Sequence, residues 1–221
     1  MLKIWDLFVR LSHWLIVLLV ISAWLSANFG DAEYKWHSWN GYAIFVLVAT
    51  RIIWGFVGST TARFSHFLKL PHTVIRYLIQ LITGKEDYHL GHNPAGGWMV
   101  FFLLFVLLAQ AVTGMFTADD IAFEGPFAYY VSGSWVKQLT SWHHFIFDVI
   151  LVLVAAHIVA VVYHQFFKKE KLVQAMLTGN KPFSSSSNLE QSALIFKPFF
   201  YALIILLIIA GTFWWLLNNY A

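Results

Sequence analysis

The sequence predicts an all-α integral membrane protein, a four-helix bundle followed by a fifth transmembrane helix near the C-terminus. The first observation behind this is composition: 59% of the 221 residues are hydrophobic and only 11% charged, whereas a soluble domain carries about 25% charged residues. The second is the spacing of the apolar residues, which fall into five stretches at 8–28, 38–58, 96–117, 141–167 and 195–217. Each is long enough to cross a hydrocarbon core of about 30 Å, which takes about 20 helical residues. The first stretch is longer than a signal-peptide core and no small-residue cleavage site follows it, so it is expected to remain as a helix.

Basic residues orient the chain, because short connections rich in Lys and Arg stay on the cytoplasmic side. Lys3 and Arg10 precede or open the first span; Arg63, Lys69, Arg76 and Lys85 separate the second and third; Lys168, Lys169, Lys171, Lys181 and Lys197 follow the fourth. The other two connections hold only Lys35 and Lys137, beside Asp31, Glu33, Asp119, Asp120 and Glu124. The expectation is a bacterial cytoplasmic (inner) membrane protein with its N-terminus cytoplasmic and its C-terminus periplasmic. The net charge of +3 then follows from membrane topology, with lipid and not nucleic acid as the surrounding partner.

The connections differ in kind. Residues 64–84 interleave apolar side chains with His66, Lys69, His72, Arg76 and Gln80, as in an amphipathic segment lying in the membrane interface and broken at Pro71. Residues 178–188, with Gly179, Pro182 and four consecutive serines, read as a flexible linker. The chain accordingly divides into residues 1–182, a four-helix unit, and residues 183–221, a linker with an added helix.

There is no cysteine, so disulfides, iron–sulfur clusters and thioether-linked haem are excluded. Histidine supplies the chemistry instead. His13 lies near the cytoplasmic end of the first span, His37 at the periplasmic end of the second, and His143 and His157 on the fourth. The last two are fourteen residues apart, which at about 100° per residue returns them to within roughly 40° of one face, some 21 Å apart along the axis. Depth then pairs His37 with His143 and His13 with His157. Two opposed imidazoles on facing helices suit a flat macrocycle, and low-spin b-type haem fits, whereas zinc would draw three or four ligands to one point. The alternative is interhelical hydrogen bonding by each histidine alone. His144 points about 140° away from His157 and faces elsewhere.

Arg10, three residues before His13, and Arg51, inside the second span, are candidate partners for haem propionates. Gly41, one turn after His37, and Gly114 on the third span are places where a haem face or another helix can approach closely.

Several of these residues sit in motifs with a family resemblance. They are Trp5-Asp6 and Arg10-Leu-Ser-His13-Trp14; His37-Ser-Trp-Asn-Gly41-Tyr42 and Arg51-Ile-Ile-Trp54-Gly-Phe-Val-Gly58; Gly91-His92-Asn93-Pro94-Ala-Gly96-Gly97; and Trp142-His143, His157 and His164. Through them the chain, over residues 1–182, resembles the bacterial cytochrome b561 superfamily, in particular the b-type cytochrome subunit of nickel-iron hydrogenases. The resemblance implies two non-covalent haems b with His13, His37, His143 and His157 as iron ligands. It also implies electron exchange between the membrane quinone pool and a periplasmic partner: a redox protein, a c-type cytochrome or a hydrogenase-like enzyme. The fifth helix departs from the short family pattern. Rival expectations are a stand-alone superoxide:quinone oxidoreductase, which acidic loops disfavour, and a passive anchor subunit of a redox complex.

Two further groups stand out. His164, His92 and Asn93 are candidates for a quinone-side site. Asp148 lies one turn beyond His144 in the fourth span, where the two can pair with each other or Asp148 can meet another helix, such as the fifth.

Overall fold

The computed structural model describes residues 1–30, 34–85, 89–119, 123–182 and 194–220. As the composition predicts, it is almost wholly helical, and five helices among the described residues are long and apolar enough to span a membrane. These are α1 (Leu7–Phe29), α2 (Lys35–Val57), α5 (Pro94–Gly114), α6 (Gly133–Phe166) and α8 (Phe199–Tyr220). Three short helices lie between them: α3 (Phe64–Phe67), α4 (Pro71–Thr83) and α7 (Leu172–Thr178). The amphipathic stretch is split at Pro71, which occupies the first turn of α4, where a missing N–H costs nothing. The protein is a multi-pass membrane protein.

The chain resolves into two compact units. One comprises Met1–Leu11, Ile52–Leu103 and Leu153–Ala202; the other comprises Ser12–Arg51, Leu104–Val152 and Leu203–Ala221.

The first unit is organised by polar groups at chain ends. Asp6 starts α1 by accepting the Val9 N–H at 2.8 Å on one carboxylate oxygen, and its other oxygen accepts the Trp54 indole N–H at 2.9 Å. Trp54 is 1% exposed, so the Trp5-Asp6 and Arg51–Gly58 motifs meet through one carboxylate. The Thr61 hydroxyl donates to the Ile4 carbonyl at 2.6 Å. Residues 2–3 (β1) pair antiparallel with residues 180–181 (β2), with Leu2 opposite Lys181. The expected flexible linker from residue 178 is therefore corrected at its start. Gly179 closes α7 at φ 85°, and its carbonyl accepts the Ile4 N–H at 2.7 Å. A side chain at Gly179 would meet the Arg10 guanidinium and the Trp5 carbonyl at 3.0 Å. Residues 183–188 of that expected linker lie outside the described residues.

Beside β2 is a buried polar cluster. Lys181, 3% exposed, donates to Glu170 at 3.4 Å and to the His89 carbonyl at 3.3 Å. Glu170 also pairs with His164 Nδ1 at 3.0 Å, and His164 Nε2 lies 3.4 Å from the Tyr77 hydroxyl. Burial pushes the Glu170 carboxyl up, but the His164 hydrogen bond and the Lys181 charge outweigh it and hold the group below its ordinary value. Burial pulls the Lys181 amine down, partly offset by Glu170.

The residues leading into α8 are also held in this unit. The Thr60 N–H donates to the Ile195 carbonyl at 2.9 Å, and the Lys197 N–H donates to the Ser59 hydroxyl at 3.1 Å. These bonds keep residues 195–197 non-helical, so α8 begins after Pro198 and not at 195 as expected. In the second unit α8 packs on α2 through aromatic rings, Phe213 on Phe45 at 4.8 Å and Trp214 stacked on Trp39 at 6.2 Å.

The depressed Glu170 value fixes the sign of a pH effect. Its contribution to stability is present above the ordinary carboxylate range of about 4.3 and is lost as pH falls through its lowered value. Glu170→Gln should remove the carboxylate charge beside the buried Lys181 and loosen the β1–β2 ribbon by about 1–3 kcal/mol, less than a fully buried pair because Glu170 is a quarter exposed. Hydrogen exchange at residues 179–181 reads this; unaltered protection in the variant would reject it.

Candidate functional site

The second unit contains a cavity of about 440 Å³ bordered by α1, α2, α5, α6 and the residues following α5, within the size range of cofactor pockets of roughly 300–1,000 Å³. His37 and His143 face each other in it, with ring centroids 6.1 Å apart and ring planes at 82°. Each ring is held by its Nδ1. His37 Nδ1–H donates to the Ala23 carbonyl of α1 at 2.9 Å, and His143 Nδ1–H donates to the Gln110 carbonyl of α5 at 3.0 Å. A hydrogen bond donated from one ring nitrogen leaves the other as the basic one, so in both histidines Nε2 carries the lone pair. His143 Nε2 accepts from the Gln110 amide at 3.1 Å. The Thr113 hydroxyl lies 3.3 Å from His143 Nδ1.

Two glycines shape this space. A side chain at Gly114 would sit 2.8 Å from His143 Cε1, too close for the ring to keep its position. At Gly41, which lines the same cavity, a side chain would meet nothing within 4 Å; the glycine leaves room for a flat group against α2.

The donor set fits a haem iron. An imidazole–metal bond of about 2 Å plus about 1 Å from nitrogen to ring centre puts two opposed rings roughly 6 Å apart, close to the separation found. Among the described residues no three His, Cys, Asp or Glu are grouped as a metal site. His37, His143, Gly41 and Gly114, all singled out from the sequence, thus come together.

The remaining candidates are not among the residues that line this cavity. His13, on α1, sets its ring edge-on to Trp14 at 5.0 Å. His157 is half-buried on α6. Arg51 is buried on α2, 5% exposed. Arg10 donates to the Leu177 carbonyl at the end of α7, so this cation also serves the fold. Asn93 caps α5, accepting the Gly96 N–H at 2.7 Å, and His92 lies against Trp5 and Phe67 at 4.6 and 4.8 Å.

His144 reaches the cavity rim but is exposed, as is Asp148. Gln110 and Thr113 were not singled out. A glutamine inside an apolar span is an available signal, and the spacing Gln110, Thr113, Gly114 places all three on one helix face.

A membrane-embedded helical protein that presents two opposed histidines to a cofactor-sized cavity is of the membrane cytochrome class. Residues 4–179 match the prokaryotic cytochrome b561 family, and the chain belongs to that family, a b-type haem-binding membrane cytochrome acting in electron transfer. It is similar to a probable Ni/Fe-hydrogenase B-type cytochrome subunit of Rhizobium leguminosarum bv. viciae, 24% identical over 209 residues, covering 79% of this chain and 86% of that protein. A protein of the same description from Bradyrhizobium diazoefficiens is 24% identical over 210 residues, covering 79% and 83%.

Gly114→Ala should displace the His143 ring. The expected result is a shifted or diminished haem absorbance relative to wild type, with the protein still inserted in the membrane; an unchanged spectrum would show that the ring has room to move.

Proposed function

We propose that this chain is a di-haem b-type cytochrome passing electrons between a periplasmic redox partner and the quinone pool of the bacterial inner membrane. The observation that carries it is the pair of opposed imidazoles at 6.1 Å, each held through Nδ1 by a carbonyl of a neighbouring helix. The haem, when bound, supplies a one-electron carrier. The chain supplies its position: His37 and His143 hold the iron of one haem, Gly41 and Gly114 leave space for ring faces, and the apolar helices exclude water.

His13 and His157 are proposed as ligands of the second haem, on the fourteen-residue spacing from His143 and the matching family motifs. Arg51 and Arg10 are the proposed cations for propionates. Residues 1–182 are the proposed haem-binding part, with 183–221 an addition to it; the family match ending at residue 179 supports this division. The basic residues support a cytoplasmic N-terminus and a periplasmic C-terminus. Hydrogenase subunits among the similar proteins support a hydrogenase-like partner over a c-type cytochrome.

A pyridine haemochrome assay on purified protein tests the ligands. Two haems b per chain are expected in wild type, and about one in His37→Ala and in His157→Ala. A single haem in wild type, lost in His37→Ala and retained in His157→Ala, would remove the second site. For the acceptor, dithionite-reduced protein should be reoxidised by a soluble quinone analogue; haems that stay reduced would remove quinone from the proposal.

A further inference from the structure

α6 carries a polar group where a lipid-facing surface would have none. Asp148 lies six residues, about 9 Å, further along the helix than Trp142, in the most apolar part of the span. It is exposed. Neither Asp148 nor His144 makes a hydrogen bond or ion pair among the described residues, so the expected pairing of these neighbours is not seen. The fifth helix does not cover them either, because its aromatic face packs on α2. A carboxylate in hydrocarbon is costly, and the aspartate side chain is too short to reach headgroups as a lysine does.

One stripe of the exposed surface of α6 has a seven-residue pattern. Ser141, Asp148 and Ala155 recur at intervals of seven, with His144, Phe145 and Val152 filling the positions three or four residues on, and every one of them is exposed. Intervals of this kind form the seam of paired helices. Its content is that of a membrane interface: small residues that let backbones approach, and polar side chains that bond across.

We propose that a second copy of this chain covers this seam, with Asp148 of each copy hydrogen-bonded to His144 of the other. Charge and register select this occupant. His144 and Asp148 lie one turn apart on the same face, so a two-fold axis beside the seam satisfies both groups twice, as a self-complementary surface requires. In such packing a side chain enters a hole bordered by the facing residue four positions earlier, which for Asp148 is His144. The bond forms whichever of the two carries the proton.

The absence of native cysteine makes disulfide trapping a clean test. Ser141→Cys, Ala155→Cys and Ala160→Cys are made singly in the full chain and oxidised in native membranes. All three positions are exposed, but Ala160 is about 140° around the helix from Ala155, and a bridge needs Cα atoms within about 7 Å. Cross-linked dimers are expected for Ser141→Cys and Ala155→Cys and not for Ala160→Cys. Dimers from all three, from none, or a product combining this chain with a different polypeptide would overturn the second copy as occupant.

Co-purification of two differently tagged copies gives a separate readout. It should fall at least tenfold in Asp148→Leu and survive in Asp148→Asn, with haem content unchanged in both. Undiminished co-purification in Asp148→Leu would also overturn the proposal.

Discussion

Hydrocarbon supplies no hydrogen-bond partner, and most of what is seen in this protein follows from that condition. Backbone groups are satisfied inside helices, and hydroxyls fold back onto their own helix, as Thr50 does on the Val46 carbonyl and Thr113 on the Ala109 carbonyl. The same requirement orients the histidines. His37 and His143 each place Nδ1–H on a carbonyl of a neighbouring helix, which satisfies a polar group and at once sets the tautomer with the lone pair on Nε2.

Where the chain leaves the apolar spans, different rules hold the structure. Asp6 serves a helix start and an indole together, and a two-residue ribbon joins the N-terminus to the segment after α7. The Glu170–Lys181 pair survives burial because His164 and the His89 carbonyl share its load of hydrogen bonds. Arg10 illustrates how motif residues carry structural duty: its contact with the Leu177 carbonyl explains a basic residue at that point without reference to any cofactor.

The contrast between His143 and Asp148 separates two uses of polar groups within α6. His143 is turned inward and bonded on both nitrogens. Asp148, five residues on, is turned outward with its polar atoms bare to whatever covers the helix. A helix of 34 residues, about 51 Å long, has surface enough for both.

The sequence by itself determined the fold class, four of the five spans to within a few residues and the phase of His143 with His157, because apolar length and helical periodicity depend only on composition and order. It misplaced the start of α6, which begins at Gly133 and not 141, since hydropathy marks the hydrocarbon boundary and a helix can continue past it through Lys137 and Gln138. It likewise read residues 178–181 as linker, because Gly179 has the same letter whether it loosens a chain or closes a helix. Only the tertiary structure decided that Gln110 and Thr113 attend His143, that Ala23 holds His37, and that Asp148 faces outward. These depend on which helix faces which, and that is set by packing between segments far apart in the chain.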